Sequence, residues 1–377
     1  EGRSSASSMI RAFCPESSCP EPDVMARIDE LLSEVIARKG SDLHLIAGDP
    51  PRVRQYGELH ALRPDALRAD DVRELLAEIM PPKAVTRLDE HDGADFAYHV
   101  PEMARFRVNV MRHLHGLGAV MRVIPSVALT LDQLGMPDPV RNLCSTQSGL
   151  ILVTGKTGSG KSTTLAAMID DINTRTRGHI LTIEDPIEFV HRRKNCLISQ
   201  REVGTHAPSF AAAIHSALRE DPDVVLVGEM RDLETISIAV TAAEMGVLVM
   251  GTLHTNGAAA TVDRIVNAFP TDKQSHVRTM LSTSLRGVVS QQLIPRSGQP
   301  GRVAALEILI NTPAVGNLIR QGKLDQLETT MQSGAAHGMR TMDMAIQHLL
   351  DARAISGREA YRKAINKQRF EAFRDAG

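Results

Sequence analysis

Apolar residues recur along the chain with two different periods, and the switches between them mark out its elements. Ile28, Leu31, Leu32, Val35 and Ile36 repeat on one face of a 3.6-residue period, which predicts an amphipathic helix ending at Gly40. Ser41–Ile46 then alternates with period two, as a strand does, and Gly48-Asp-Pro-Pro51 supplies a turn. Arg52–Leu62 predicts a hairpin. Val72, Leu75, Leu76 and Ile79 predict a second helix, closed by Pro81-Pro82. Residues 94–100, 105–111 and 118–124 alternate again and read as strands. Residues 25–125 therefore predict a small α/β domain, mainly antiparallel sheet with helices.

The pattern changes after a linker at 126–139, two of whose prolines fall in Met136-Pro-Asp-Pro139. In residues 140–377 the strand-like runs Leu150–Val153, His179–Ile183, Val224–Val227 and Val247–Thr252 are short and largely apolar without alternation. A strand that is apolar on consecutive positions is buried on both faces, and helical stretches lie between several of these runs. A mainly parallel sheet flanked by helices is expected. Ser209 stands as N-cap of a helix that stops before Asp221-Pro222. From Thr312 onward the tail is mostly helical, broken at Ser333-Gly334 and His337-Gly338, and Gly316 inside it should cost ~1 kcal/mol relative to alanine. Residues 1–24 are rich in Ser, Pro and small residues and read as a disordered leader, with Met25 as the expected initiator.

The chemistry begins where Leu150–Val153 ends. Gly155-Lys-Thr-Gly-Ser-Gly-Lys161-Ser162 matches the phosphate-binding loop G-x-x-x-x-G-K-[ST], and Leu165, Met168, Ile169 and Ile172 come next with helical spacing. Strand, glycine loop and helix stand in the order the motif needs. Its glycines let the backbone approach a ligand closely, and loop N–H groups and the helix N-terminus present partial positive charge to phosphates. Gly155, Lys156, Thr157, Gly158, Ser159, Gly160, Lys161, Ser162 and Thr163 are the predicted nucleotide-binding residues. Lys161 would reach the β- and γ-phosphates of ATP, and the Ser162 hydroxyl would ligate Mg²⁺.

Three further stretches bear on the chemistry after nucleotide binding. Asp223-Val-Val-Leu-Val-Gly-Glu229 is an apolar strand with an acid at its C-terminal end, where α/β sheets hold ligands. Gly228 occupies the usual aspartate position, so Glu229 is the acid available to polarise an attacking water, directly or through the Mg²⁺ shell. Thr182-Ile-Glu-Asp-Pro-Ile-Glu188 places three acids within five residues after another strand; they make sense around Mg²⁺ or water, or else in a solvated loop held by Pro186. Gly251-Thr-Leu-His254-Thr ends a third strand, where His254 either senses the γ-phosphate, couples the site to a neighbour or is a structural histidine.

Composition narrows the partners. A net charge of −2 and 3% aromatic residues without Trp leave little with which to track or stack on nucleic acid. The isolated basic run His191-Arg-Arg-Lys194 reads as a solvated loop or subunit contact. Cys14, Cys19, Cys144 and Cys196 form no C-x-x-C pair and read as free thiols. No apolar run approaches the ~18 residues of a membrane span, so a cytoplasmic protein is expected.

Residues Gly155–Thr163, Thr182–Glu188, Gly228–Asp232 and Gly251–Thr255 resemble the Walker A, Asp box, Walker B and His box of the secretion and type IV pilus ATPase superfamily. The likeness, which runs from about Met25 to Phe373, is strongest to its twitching-motility (PilT-type) retraction branch. Ser41-Asp-Leu-His-Leu45, Arg105-Phe-Arg-Val-Asn109 and Ala314-Val-Gly-Asn-Leu-Ile-Arg320 support it. The resemblance implies a PAS-like N-terminal domain, a RecA-like C-terminal P-loop ATPase domain and a homo-hexameric ring. It further implies ATP between the domains, with an inner-membrane platform protein of the pilus machinery as partner and a peripheral place at the pilus base. Glu229, Glu188 and His254 carry over as catalytic residues, with Glu229 touching Mg²⁺ through water. Arg105 and Arg112 are the candidates to approach the γ-phosphate, with Arg107 and Arg122 behind them. The family's His box usually opens with histidine after glycine, whereas Val247 stands after Gly246 here. The extension ATPase of the same superfamily typically has a further N-terminal domain and a tetracysteine zinc site, which the scattered cysteines do not match. An accessory retraction paralogue, a nucleic-acid translocase and a nucleotide switch without turnover are the other readings.

Overall fold

The first helix, α1 (Arg27–Ala37), forms where the periodicity places it, with Ile28, Leu31, Leu32 and Val35 buried. Asp29 accepts the Ala26 N–H at 3.2 Å, and the Asp29-Glu30 pair puts negative charge at the helix N-terminus. The computed structural model describes residues 26–55, 57–124 and 128–374; the expected leader and Met25 lie outside them. The chain divides into two units, residues 1–124 and 125–377.

In the first unit β1 (Asp42–Ile46), β2 (Arg52–Gln55) and β3 (Glu58–Ala61) are followed by α2 (Ala69–Ala77) and α3 (Pro82–His91). Then come β4 (Gly93–Val100), β5 (Ala104–His113) and β6 (Gly116–Ile124). The six strands form an antiparallel sheet ordered β3-β2-β1-β6-β5-β4. Period-two alternation sends Leu43, Leu45, Phe106, Val108, Val110, Ala119 and Met121 into one core with α1 and α2. Helix α3 departs from expectation. Pro81-Pro82 predicts only the end of a helix, yet Pro82 is the first residue of a new one, where the missing N–H costs nothing.

The second unit opens with α4 (Asp138–Leu143), β7 (Gly149–Thr154), α5 (Lys161–Arg175), β8 (His179–Glu184), β9 (Leu197–Glu202), α6 (Phe210–Ala217) and β10 (Val224–Val227). It continues with α7 (Leu233–Glu244), β11 (Leu248–Leu253), α8 (Ala258–Asn267), α9 (Thr271–Ser284), β12 (Leu285–Pro295) and β13 (Arg302–Ile310). The sheet order is β13-β12-β7-β11-β10-β8-β9, parallel throughout except for β13 against β12. Successive residues of each central strand enter different cores. Leu150, Leu152, Val225 and Val227 meet the layer containing α6 to α9, and Ile151, Val153, Val224 and Leu226 meet the layer of α4 and α5. Both faces are covered, which is why these strands lack alternation.

The tail holds α10 (Pro313–Gln321), α11 (Leu327–Ser333), α12 (Met342–Asp351) and α13 (Gly357–Lys363). Helices α12 and α13 share a small core of Met342, Ile346, Ile355, Ala360 and Phe370 with Ile294 of β12 and Ala305 of β13. Cys144 and Cys196 are buried free thiols. Among the described residues no helix is long and apolar enough to cross a membrane.

Gly316 reverses the propensity expectation. It lies inside α10, and a Cβ there would stand 2.8 Å from the Ser282 carbonyl oxygen of α9. The glycine permits the two helices to approach, so propensity is the smaller effect. Gly316→Ala should therefore lower the melting temperature, whereas helix propensity alone would raise stability by ~1 kcal/mol. Thermal unfolding of the two proteins decides between them.

Candidate active site

Thr154 is the last residue of β7, and at Gly155 the backbone turns off the sheet with φ +139°. The loop beyond it is pressed against β12. A Cβ on Gly155 would lie 2.4 Å from the Gln291 carbonyl oxygen, and one on Gly160 (φ +89°) 2.8 Å from the Gln291 amide nitrogen. Side chains are excluded at both positions for steric as well as conformational reasons. Gln291, only 2% exposed, clamps the loop from the sheet side. Its Nε2 donates to the Ser159 carbonyl at 2.7 Å, and its Oε1 accepts from the Thr164 hydroxyl at 2.7 Å.

Helix α5 begins at Lys161 with Gly160 as N-cap and no side-chain cap, so its first N–H groups remain available to an anion. The Lys161 ammonium folds back over the loop, donating to the carbonyls of Gly155 at 2.9 Å and Lys156 at 3.3 Å. Burial holds its pKa below the usual lysine range, while Glu229 and Glu188 act in the opposite sense. Both acids therefore lie close enough for the lysine to feel them.

The parallel strands deliver the remaining residues to the same edge. Glu229 comes just after β10, and its Oε1 lies 2.5 Å from Arg231 Nε and 3.0 Å from His254 Nε2. His254 comes just after β11, and its Nδ1 is 3.5 Å from the Thr157 hydroxyl. With the proton on Nε2, one imidazole donates to the acid and accepts from the phosphate loop. Gly228 precedes Glu229 because a Cβ there would come within 3.2 Å of the Glu184 Cα and the Ile183 carbonyl, backbone that cannot move aside.

The acidic run after β8 splits into two roles. Glu184 is buried, and burial pushes its carboxyl pKa up. It accepts from the Thr182 hydroxyl at 2.7 Å and the Glu188 N–H at 3.2 Å, which fixes the backbone that carries Glu188. Glu188 faces a cleft of about 70 Å³ shared with Ser162, Asp185, Glu229 and Thr252. His191 also lines this cleft, against its reading as part of a solvated basic run, and burial pulls its pKa down to about 4. The same run's Lys194 pairs with Asp170 at 2.7 Å, and Arg192 and Arg193 are exposed.

Gly155–Thr163, Glu188, Glu229 and His254 thus converge at one sheet edge. Arg105 and Arg112 belong to β5 in the first unit, where alternation sends them to opposite faces. Arg105 shares its face with Arg107 and Asn109, while Arg112 reaches Asp89 at 2.7 Å and Asp92 at 3.3 Å. Val247 sits just before β11, with its carbonyl accepting the Gly149 N–H at 3.1 Å. That is the far end of the strand from His254, roughly 20 Å away at 3.3 Å per residue. Among the described residues no three His, Cys, Asp or Glu side chains are grouped to hold a metal. The Ser162 hydroxyl and the cleft carboxylates are hard oxygen donors, suited to a Mg²⁺ that shares its shell with phosphate and water.

Gln291 and His191 are not evident from local sequence, and each carries a prediction. Gln291→Ala leaves the Ser159 carbonyl and the Thr164 hydroxyl unpartnered, a cost of about 1–3 kcal/mol that falls on the loop. Nucleotide affinity measured by titration should fall roughly 5- to 100-fold; unchanged affinity would show that the loop holds its shape alone. The folded pKa of His191 is below its unfolded value near 6.5, so its contribution to stability is lost as pH falls from about 6.5 toward 4. Over that interval His191→Gln should lose melting temperature less steeply than the unaltered protein; parallel curves would contradict the assignment.

A family model described as type II/IV secretion system protein matches residues 21–350. The type IV pilus retractation ATPase PilT of Pseudomonas aeruginosa is 50% identical over 343 residues, 91% of this chain and 99% of that protein. A twitching motility protein of Neisseria gonorrhoeae is 49% identical over 323 residues, 86% of each chain. The crystal structure of the pilus retraction motor PilT with bound ADP aligns with a TM-score of 0.86 at 44% identity, covering 92% of this chain and all of that one. With a family match over most of its length and relatives at half identity, the chain belongs to the type II/IV secretion system protein family.

Proposed function

We propose that this chain is an ATP hydrolase whose turnover drives type IV pilus retraction, the activity named for its relative PilT. The observation that carries the reading is the continuous link from phosphate loop to acid, Thr157 to His254 to Glu229. Binding needs only the loop; an acid wired to the loop through an imidazole suits a site that must turn over and register the result.

In this reading the loop amides and the α5 N-terminus cradle the phosphates, and Lys161 exchanges the carbonyls of Gly155 and Lys156 for β- and γ-phosphate oxygens. Glu229 aligns a water, which attacks the γ-phosphorus. The bond to the β–γ bridging oxygen breaks, ADP departs and the water's proton passes toward the carboxylate. Glu188 adds negative charge on the side where the cation and water gather. Mg²⁺, when bound, offsets phosphate charge, held by the Ser162 hydroxyl and, through water, by Glu229. A guanidinium would stabilise the charge of the transferring phosphoryl group. Arg105 and Arg112 of β5 are the candidates for that task, with Arg107 and Arg122 in reserve. We further assign the two units to PAS-like and RecA-like folds, the working state to a homo-hexamer, and the partner to the inner-membrane platform protein at the pilus base. Overall identity and the resemblance of the four boxes support these assignments.

Steady-state phosphate release tests the chemistry. Lys161→Ala should abolish turnover. Glu229→Gln should keep ATP affinity within a few-fold and lose roughly 100-fold or more in kcat. Near-normal turnover in Glu229→Gln would remove it as the general base, and no phosphate release by the unaltered protein would leave a nucleotide switch.

A further inference from the structure

The sheet carries a polar row that the hydrolysis mechanism does not use. Thr154 of β7, Ser290 of β12 and Glu307 of β13 stand side by side in register across three strands. They lie on the same face as Leu152, Val288 and Leu309, at the edge where that apolar layer ends. Each reaches the segment just after His254. The Glu307 carboxylate accepts the Ala258 N–H at 2.6 Å, and the Ser290 hydroxyl accepts the Gly257 N–H at 2.9 Å. The Thr261 hydroxyl meets Thr154 at 3.5 Å.

Glu307 is 7% exposed, and its second oxygen is also engaged. It accepts the Met342 N–H, the first of α12, at 3.1 Å. One buried carboxylate therefore receives the opening N–H groups of two helices: α8, which continues directly from the His254 loop, and α12, which begins the C-terminal helical layer. A carboxylate is an acceptor only and satisfies both donors. An amide of the same size satisfies one and turns its own NH₂ toward the other.

We propose that Glu307 is a positioning residue for His254, and that by holding α8 and α12 on one side chain it makes the C-terminal layer respond to the state of the nucleotide site. The proposal rests on the ATPase reading. The loop cannot shift His254 relative to Glu229 without loading the Ala258–Glu307 bond, and any movement of that carboxylate is felt at Met342.

The test is a double-mutant cycle on kcat with His254→Ala. Glu307→Gln should leave KM for ATP within about twofold, because the phosphate loop is intact, and lower kcat roughly 10- to 100-fold through misplacement of His254. In the His254→Ala background the same substitution should change kcat by less than about twofold, since the group it positions is gone. Additive losses, or a raised KM with kcat unchanged, would overturn the proposal. If Glu307→Gln does not fold, Glu307→Asp enters the same cycle. Hydrogen exchange on the unaltered protein gives a second reading. The amides of Ala258 and Met342 should change protection together between ADP and a non-hydrolysable ATP analogue, and a change in one alone contradicts the coupling. An unaltered protein that releases no phosphate fails the ATPase reading; one that turns over but gives an additive cycle fails only this inference.

Discussion

Strand β7 buries Leu150 and Leu152 against one helical layer and Ile151 and Val153 against the other, so polar groups have no place along it except at its end. The same holds for β10, all four of whose residues are buried. Because β7, β8, β10 and β11 run parallel, their C-terminal ends fall on one edge, and the loops leaving them must meet there. Two-sided burial thereby gathers residues from four separate stretches of sequence. The phosphate loop, the Glu188 run, Glu229 and His254 are neighbours because the strands beneath them cannot be anything but buried and aligned.

That edge is electrostatically prepared for phosphate. Lys161 is held below its usual pKa range by burial, rests on two carbonyls and feels Glu229 and Glu188. A polyanion entering the loop would replace weak acceptors with strong ones. The supports come from the antiparallel end of the sheet. On β12, adjacent residues face opposite ways: Gln291 clamps the phosphate loop and Ser290 the loop after His254. One strand thus sets the distance between the phosphate loop and the loop after His254.

Where periodicity is strong, the elements are legible in the sequence. The two-period contrast separates the antiparallel sheet from the parallel one, and the four ATPase boxes locate Gly155–Thr163, Glu188, Glu229 and His254. Helix α3 is hidden because proline is both a terminator and a favoured first helical residue, and the sequence does not say which use applies. Strands β9, β12 and β13 are hidden because Gln200, Ser290, Gln291 and Glu307 interrupt their apolar runs. Of these, Ser290, Gln291 and Glu307 are buried, and their partners lie far along the chain; Gln291 reaches Ser159 across 132 positions. A buried polar residue inside a strand-like run is the available signal. His191 is masked by the charges beside it, and Gly316 by a propensity argument blind to the helix packed against it.

The central claim is that hydrolysis at this edge retracts pili, and counting surface pili tests it most directly. Cells lacking the chain, and cells carrying only Lys161→Ala, should accumulate pili and lose twitching, with both restored by the unaltered protein. Loss of pili in those cells would contradict the account and assign the motor to extension.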